Sequence, residues 1–356
     1  MPKAAPPPQP EDLLARPART AVALVGLALL DAARTALGRL DDPNDGEALH
    51  DFRVALRRLR TTLRGFRPEL GDAVPKKLQR RLRDATRTTS AGRDAEVQLA
   101  WIRDHTTALG RGSRGGLSWL RARLVERRDR AYAGIREDVT PQFRRLERRV
   151  RRALNRARND RSPGQGSFGA AAARLLREQA AELDQELQAA TSPDDEAAIH
   201  GARIAVKRVR YLIESLAIDV ADTAALVARC KELQDLLGEL HDAHILVEAL
   251  GDAVADAAAE RARRLHALTV RAGRERARRT ERPAPASAGP LALARLASET
   301  EARLFERLVT EWLDAKLAEL VGTLATFAEA LIPTPRLPLG RSSPPLRIRY
   351  TPRARP

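Results

Sequence analysis

The 356-residue chain holds one cysteine, one methionine and only 3% aromatic residues. A lone thiol, Cys230, excludes an intramolecular disulfide framework and a cysteine-rich zinc module, and it fits a reducing compartment. Long hydrophobic runs are also missing. The longest, AVALVGLALL at residues 21–30, has ten residues, whereas a membrane-spanning helix needs about 20. Arg16 and Arg19 give this run the outline of a signal peptide, but Leu30, Ala33, Leu37 and Leu40 extend its apolar face at helical spacing. It is therefore read as the first helix of a bundle, and no membrane association is expected.

Catalytic signatures are scarce as well. There is no phosphate-binding P-loop, no G-x-S-x-G and no H-E-x-x-H, and Cys230 lies in an amphipathic stretch (ARCKELQDLL) where a buried, inert thiol is expected. The E-T-E-A-R string at 299–303 falls in a helical pattern and is discounted as a metal-binding strand motif. No catalytic residue and no cofactor is expected.

Positive charge is what the chain has in excess: 63 Lys+Arg against 47 Asp+Glu, a formal net charge of +16. Nearly all of these bases are Arg, and Ala and Leu are abundant, a composition that coding bias produces without functional demand. The informative question is whether the bases gather on one surface without acidic partners. With 43% hydrophobic residues the chain is globular, and its length corresponds to about two units of roughly 150 residues. Pro-rich termini (1–12 and 333–356) lack apolar periodicity and are expected to be flexible. Between them lie helical patterns, few breaker clusters and no β-branched alternation, which predicts an all-α fold of long antiparallel helices over 13–332.

An internal repeat appears when the chain is slid by 150 residues. ALHDFRVALRRLRTTLRGF (48–66) lies over AIHGARIAVKRVRYLIESL (198–216), which places His50 on His200, Arg53 on Arg203, Arg57 on Lys207 and Arg60 on Arg210. GRDAEVQLAWI (92–102) lies over LHDAHILVEAL (240–250), which places Asp94 on Asp242. Two homologous halves, about 13–160 and 168–332, are the economical reading.

Within the first copy Phe52, Leu56, Leu59, Leu63, Phe66 and Leu70 advance by three or four residues, laying one apolar stripe along a helix. Arg53, Arg57, Arg60, Arg64 and Arg67 follow one residue later, with no acidic residue between Phe52 and Pro68 to pair with them locally. The second copy repeats the plan, with Ala202, Val206, Val209, Ile213 and Leu216 inward and Arg203, Lys207 and Arg210 beside them, until Glu214 interrupts the series. A third row, Lys76, Arg80, Arg83 and Arg87, follows the first helix. A single such row is ordinarily a solvated helix face or is neutralised by neighbouring helices. The same row built twice, beside a core stripe and free of local acids, points instead to a surface for a polyanion, because guanidinium forks bind phosphate oxygens bidentately. His50 and His200 precede the rows by one turn and are expected to donate to the same anion, more strongly when protonated.

His241, Asp242 and His244 form an H-D-x-H cluster that is incomplete as a metal signature, since Arg93 and Glu96 stand at the matching places of the first half. Asp94 and Asp242 are expected to orient basic residues of neighbouring helices in buried or half-buried ion pairs.

On the duplicated H-x-x-R-[VI]-A-[LV]-[RK]-R-[LV]-R segments, the R-D-A-E-V segment from Arg93 and the stretch from Leu236 to Asp242, the chain resembles the CHAD family, the conserved histidine α-helical domain. The resemblance implies two pseudo-symmetric four-helix bundles with a basic central groove, binding of inorganic polyphosphate without catalysis, and association with polyphosphate granules in the cytoplasm. Carried over by position, the binding set is His50, Arg53, Arg57, Arg60, Arg64, His200, Arg203, Lys207 and Arg210; Lys76, Arg80 and Arg83 are added from their charge pattern. His241 stands where the family commonly has Asn, and Glu214 matches Arg64, so a weaker second half of the groove is expected. Two other readings stand beside this one: a nucleic-acid binder, for which Arg clusters at 144–158 and 261–279 speak, and a metal-dependent enzyme acting on polyphosphate through His241, Asp242 and His244.

Overall fold

A computed structural model describes residues 12–42, 45, 47–109, 114–160, 166–216, 223–272 and 287–332. The two terminal segments, apart from Asp12, lie outside them, as do residues 273–279 of the second Arg cluster.

The apolar stripes of the sequence become the inner faces of helices. α1 (Ala18–Arg39) and α2 (Ala48–Gly65) pair first. A short turn of helix, α3 (Arg67–Leu70), reverses the chain at Gly71, whose φ of +53° belongs to the left-handed region that glycine enters without a Cβ clash. α4 (Lys76–Thr88), α5 (Ser90–His105), α6 (Arg114–Gly134) and α7 (Thr140–Asn159) complete the first half. The second half holds α8 (Phe168–Gln188), α9 (Glu196–Leu216), the 50-residue α10 (Thr223–Ala272), α11 (Ala288–Leu308) and α12 (Leu317–Ala330). One π-helical segment, Ile135–Val139, joins α6 to α7, and another, Val309–Lys316, joins α11 to α12. No strand occurs among the described residues, so the fold is all-α.

Burial follows the predicted stripes. Phe52, Leu56, Leu59 and Leu63 of α2 are fully buried, as are Ala202, Val206, Val209 and Ile213 of α9. Phe52 meets Phe143 of α7 edge-on, with ring centroids 5.0 Å apart, and Phe66 lies 5.2 Å from Phe168, joining the first half to α8. At the end of α2, a Cβ on Gly65 would lie 2.8 Å from the Leu175 side chain, so glycine here permits α8 to approach the helix closely.

Two expectations are modified. As a 22-residue helix, α1 is long and apolar enough to cross a membrane by length and composition, although its longest unbroken apolar run is short. Its Ala21, Val22, Leu30 and Ala33 are nonetheless fully buried against neighbouring helices, which makes it a core helix. The apolar interior also does not divide along the sequence repeat. One main core runs through α1, α2, α7, α8, α9, α12 and the start of α10, across both halves. A smaller core joins Ile102, Leu117 and Leu120 of α5 and α6 to Leu246, Leu250 and Leu293 of α10 and α11. Helices from both halves thus share each interior, because α1 packs on α8 and α6 on α11.

Candidate functional site

Amphipathic α2 and α9 turn their apolar stripes into the main core, so the basic residues one position later flank the line along which the two helices meet. α4 packs against α2 and adds a third edge. Arg57, Arg60 and Arg64 from α2, Lys76, Arg80 and Arg83 from α4, and His200, Arg203 and Lys207 from α9 line one open cavity of about 990 Å³. His50, Arg53 and Arg210 line an adjoining cavity of about 390 Å³, together with Asp94 and Asp242. Arg57, Arg203, Lys207 and Tyr211 border both, so the two spaces form one groove with a waist between α2 and α9. All twelve candidate residues therefore converge.

They differ in how far the protein already satisfies them. Among the described residues Arg57, Arg60, Arg64, Lys76, Arg80 and Lys207 have no carboxylate within 4 Å. Arg203 lies 3.6 Å from Asp242, yet its Nε is buried without a hydrogen-bond partner. Arg53 is only 8% exposed and donates to Thr89 Oγ1 at 3.0 Å and Ser90 Oγ at 3.3 Å, tying α2 to the junction of α4 and α5. Arg210 is 4% exposed and pairs with Glu214 at 3.2 Å. These last two serve packing as well as lining the groove.

The crowding of like charges shows in the titration of the waist. Burial, reinforced by Arg203 and Arg57, pushes the Lys207 ammonium down to about 6. Burial, then the charge of Arg83, lowers Arg60, and burial, then Arg57, brings Arg53 to about 10. His50 is lowered by burial and Arg93, and His200 by burial, Arg203 and Lys207. Both shifts favour the neutral imidazole, whose single ring N–H is the donor it can offer an anion until the ring is protonated.

The family model of the CHAD domain matches residues 25–251. The chain belongs to the CHAD family. No curated protein matches it. The crystal structure of the CHAD domain from the plant Ricinus communis is similar at 21% identity and a TM-score of 0.59, covering 90% of this chain and 96% of that one. PptA from Streptomyces chartreusis is similar at 19% identity and a TM-score of 0.52, covering 88% of this chain and all of that one. At these identities the likeness establishes the fold.

The wall of the CHAD groove that sequence reasoning missed is α8. Arg174, Glu178, Gln179 and Glu182 line the larger cavity. Both carboxylates there are engaged: Arg174 holds Glu178 at 2.7 Å, and Arg208 donates to both oxygens of Glu182 at 2.6 and 2.8 Å. Only the Arg-rich row signals a groove in sequence, and nothing in α8 repeats it.

Asp242, half-buried at 46% exposure, pairs with Arg203 of the neighbouring α9 at 3.6 Å, as expected of it. Asp94, expected to pair likewise, has no ion pair within 4 Å among the described residues, and both acids edge the smaller cavity. His241, Asp242 and His244 do not share a centre. The His241 ring lies 5.1 Å from that of His200, whereas His244 Nδ1 is 2.7 Å from Glu301 Oε1 on α11. Burial opposes charge on His244, but Glu301, Glu196 and Glu248 together raise its pKa, while burial, Arg203 and His200 depress His241 to about 3. Successive turns of α10 thus point His241 toward the cationic groove and His244 toward the carboxylate of Glu301. Cys230 is fully buried, which pushes its thiol up to about 12 and leaves it inert.

Proposed function

We propose that the protein binds inorganic polyphosphate in the α2–α4–α9 groove and does not turn it over. The observation that carries this is the set of cationic side chains, Arg57, Arg60, Arg64, Lys76 and Arg80, that share one groove with no carboxylate within 4 Å among the described residues, joined by Lys207, which takes up its proton as an anion binds. An empty site of that kind costs stability through self-repulsion, and the cost is offset when a chain of phosphates enters and releases its counterions. The buried, unpartnered Nε of Arg203 adds a donor that a phosphate oxygen satisfies. CHAD-family membership is consistent with this reading.

Nucleic acid fits the groove less well. Its one lining aromatic ring, Tyr211, is 8% exposed and lies under the guanidiniums of Arg58 and Arg210, 5.1 and 5.0 Å from the ring centroid, so bases have no platform on which to stack. Catalysis is not part of the proposal, because the only metal-like cluster in the sequence is split between Glu301 and the His200 ring. Such a protein acts where its ligand accumulates, in the cytoplasm at polyphosphate granules.

A binding panel of polyphosphate, duplex DNA, RNA and heparin across a salt series tests the reading. With six phosphate contacts, polyphosphate affinity is expected to fall roughly 10³-fold between 50 and 200 mM salt. DNA that displaces polyphosphate at equal phosphate concentration would assign the groove to nucleic acid instead, and phosphate release with Mg²⁺ or Mn²⁺ would make the protein an enzyme.

A further inference from the structure

Outside the groove, the outer side of α7 carries a dense run of positive charge. Its inner positions, Phe143, Leu146, Val150, Ala153, Leu154 and Ala157, are buried in the main core. Glu147, the one acid of the helix, is 8% exposed and pairs with Arg151, which also reaches Asp31. Arg144, Arg145, Arg148, Arg149 and Arg152 are all exposed and all without a hydrogen bond or ion pair among the described residues. At 1.5 Å per residue they occupy about 12 Å of the helix axis on its solvent side. α4 packs beside α7, and its Lys77 and Arg81 are exposed, lie off its groove row and are likewise unpaired among the described residues. None of these seven residues lines the groove.

We propose that the outer face of α7 is a second anion-binding surface, separate from the groove, and that its ligand is the backbone of double-stranded nucleic acid. An unneutralised patch of this sign selects a polyanion, and its shape decides which one. The face belongs to a single convex helix with no opposing wall, so a thin flexible chain would lose its conformational freedom there for contacts on one side only. A stiff duplex presents its phosphates already fixed in space, one per about 1.7 Å of axis, and pays no such ordering cost. The exposed positions interleave no aromatic ring for stacking on single strands and no large apolar side chain for entering a lipid surface. Gln142, Asn155 and Asn159 are the only neutral amide side chains on the helix, so contact with phosphate, without reading of base sequence, is expected.

The test uses the full chain and a 30-base-pair duplex of arbitrary sequence, with affinity measured across a salt series for the wild type and for Arg145→Gln, Arg148→Gln, Arg152→Gln combined. Gln keeps the helix and removes three charges. The expected result is a loss of tenfold or more in duplex affinity at 50 mM salt and a salt slope smaller by about 3, with polyphosphate affinity within threefold of wild type. The reciprocal variant, Arg57→Glu with Lys207→Glu, is expected to keep duplex affinity within threefold. Duplex binding unchanged in the α7 variant, or no duplex binding by the wild type, overturns the inference. So does a loss of polyphosphate stoichiometry in the α7 variant with duplex binding intact, which would make the face a second polyphosphate site. Because the readout is duplex binding, failure of the groove proposal would leave this result interpretable on its own.

Discussion

Arg58 Nη2 of α2 donates to Glu214 Oε2 of α9 at 2.5 Å, a salt bridge between the two copies of the repeated helix. Glu214 also forms an ion pair with Arg210 at 3.2 Å, so a single carboxylate compensates two guanidiniums at the buried end of the waist. It stands where the first copy has Arg64, and the charge reversal at that place joins the two rows instead of extending the second.

Glu214→Gln keeps the side-chain volume and removes the charge, leaving Arg58 and Arg210 without a carboxylate in a region where their side chains are 11% and 5% exposed. Breaking a buried pair in this way is expected to cost about 3 kcal/mol. Urea denaturation followed by circular dichroism measures it, and an unchanged midpoint would show that the bridge carries no net stability.

Lys207 has the opposite relation to stability. Burial beside Arg57 and Arg203 holds its ammonium at about 6, below the value of an unfolded lysine, so between these two values the unfolded chain binds the extra proton. Its contribution therefore rises with pH from about 6 to about 10. Lys207→Met is expected to raise the melting temperature at pH 7 by about 2–4 °C, to flatten its rise with pH, and to weaken polyphosphate binding at least tenfold. A lower melting temperature would mean that Lys207 has a partner that compensates its burial.

The same depression couples binding to protons. A bound polyanion raises the pKa of Lys207 and His200, both lowered in the empty groove by burial and by neighbouring cations. Affinity should then strengthen as pH falls from 8 to 6, with net proton uptake. Calorimetric titrations at pH 7.5 in two buffers of different ionisation enthalpy measure this, and equal heats in both would rule the linkage out.

Arg64 and Arg210 occupy the same groove system but are expected to behave differently. Arg64 is exposed and unpaired, so Arg64→Ala should leave stability unchanged and reduce the salt slope of polyphosphate binding by about 0.7–0.9. Arg210 is buried against Glu214, so Arg210→Ala should lower stability and leave that slope nearly unchanged. The reverse pattern would exchange their roles.

Much of this site was legible in the sequence because helical periodicity carries it. The steps of three and four that bury Phe52, Leu56 and Leu59 also fix the bearing of Arg57, Arg60 and Arg64, and the duplication made Arg203 and Lys207 visible on the same grounds. What periodicity leaves open is which helix packs next to which. That Arg53 is consumed by Thr89 and Ser90, that Arg208 is held by Glu182, and that α8 supplies a wall all depend on tertiary neighbours. The expected half-buried ion pair forms at Asp242, with Arg203, and not at Asp94 for the same reason: repeat position located both acids, but which cation stands beside each is set by tertiary neighbours.

The most direct measurement is long-chain polyphosphate binding by Arg57→Glu combined with Lys207→Glu, at 50 mM salt, with helical content checked by circular dichroism. Loss of binding in a folded protein is the predicted result. Affinity within threefold of wild type, with the helices intact, would contradict the groove as the binding site.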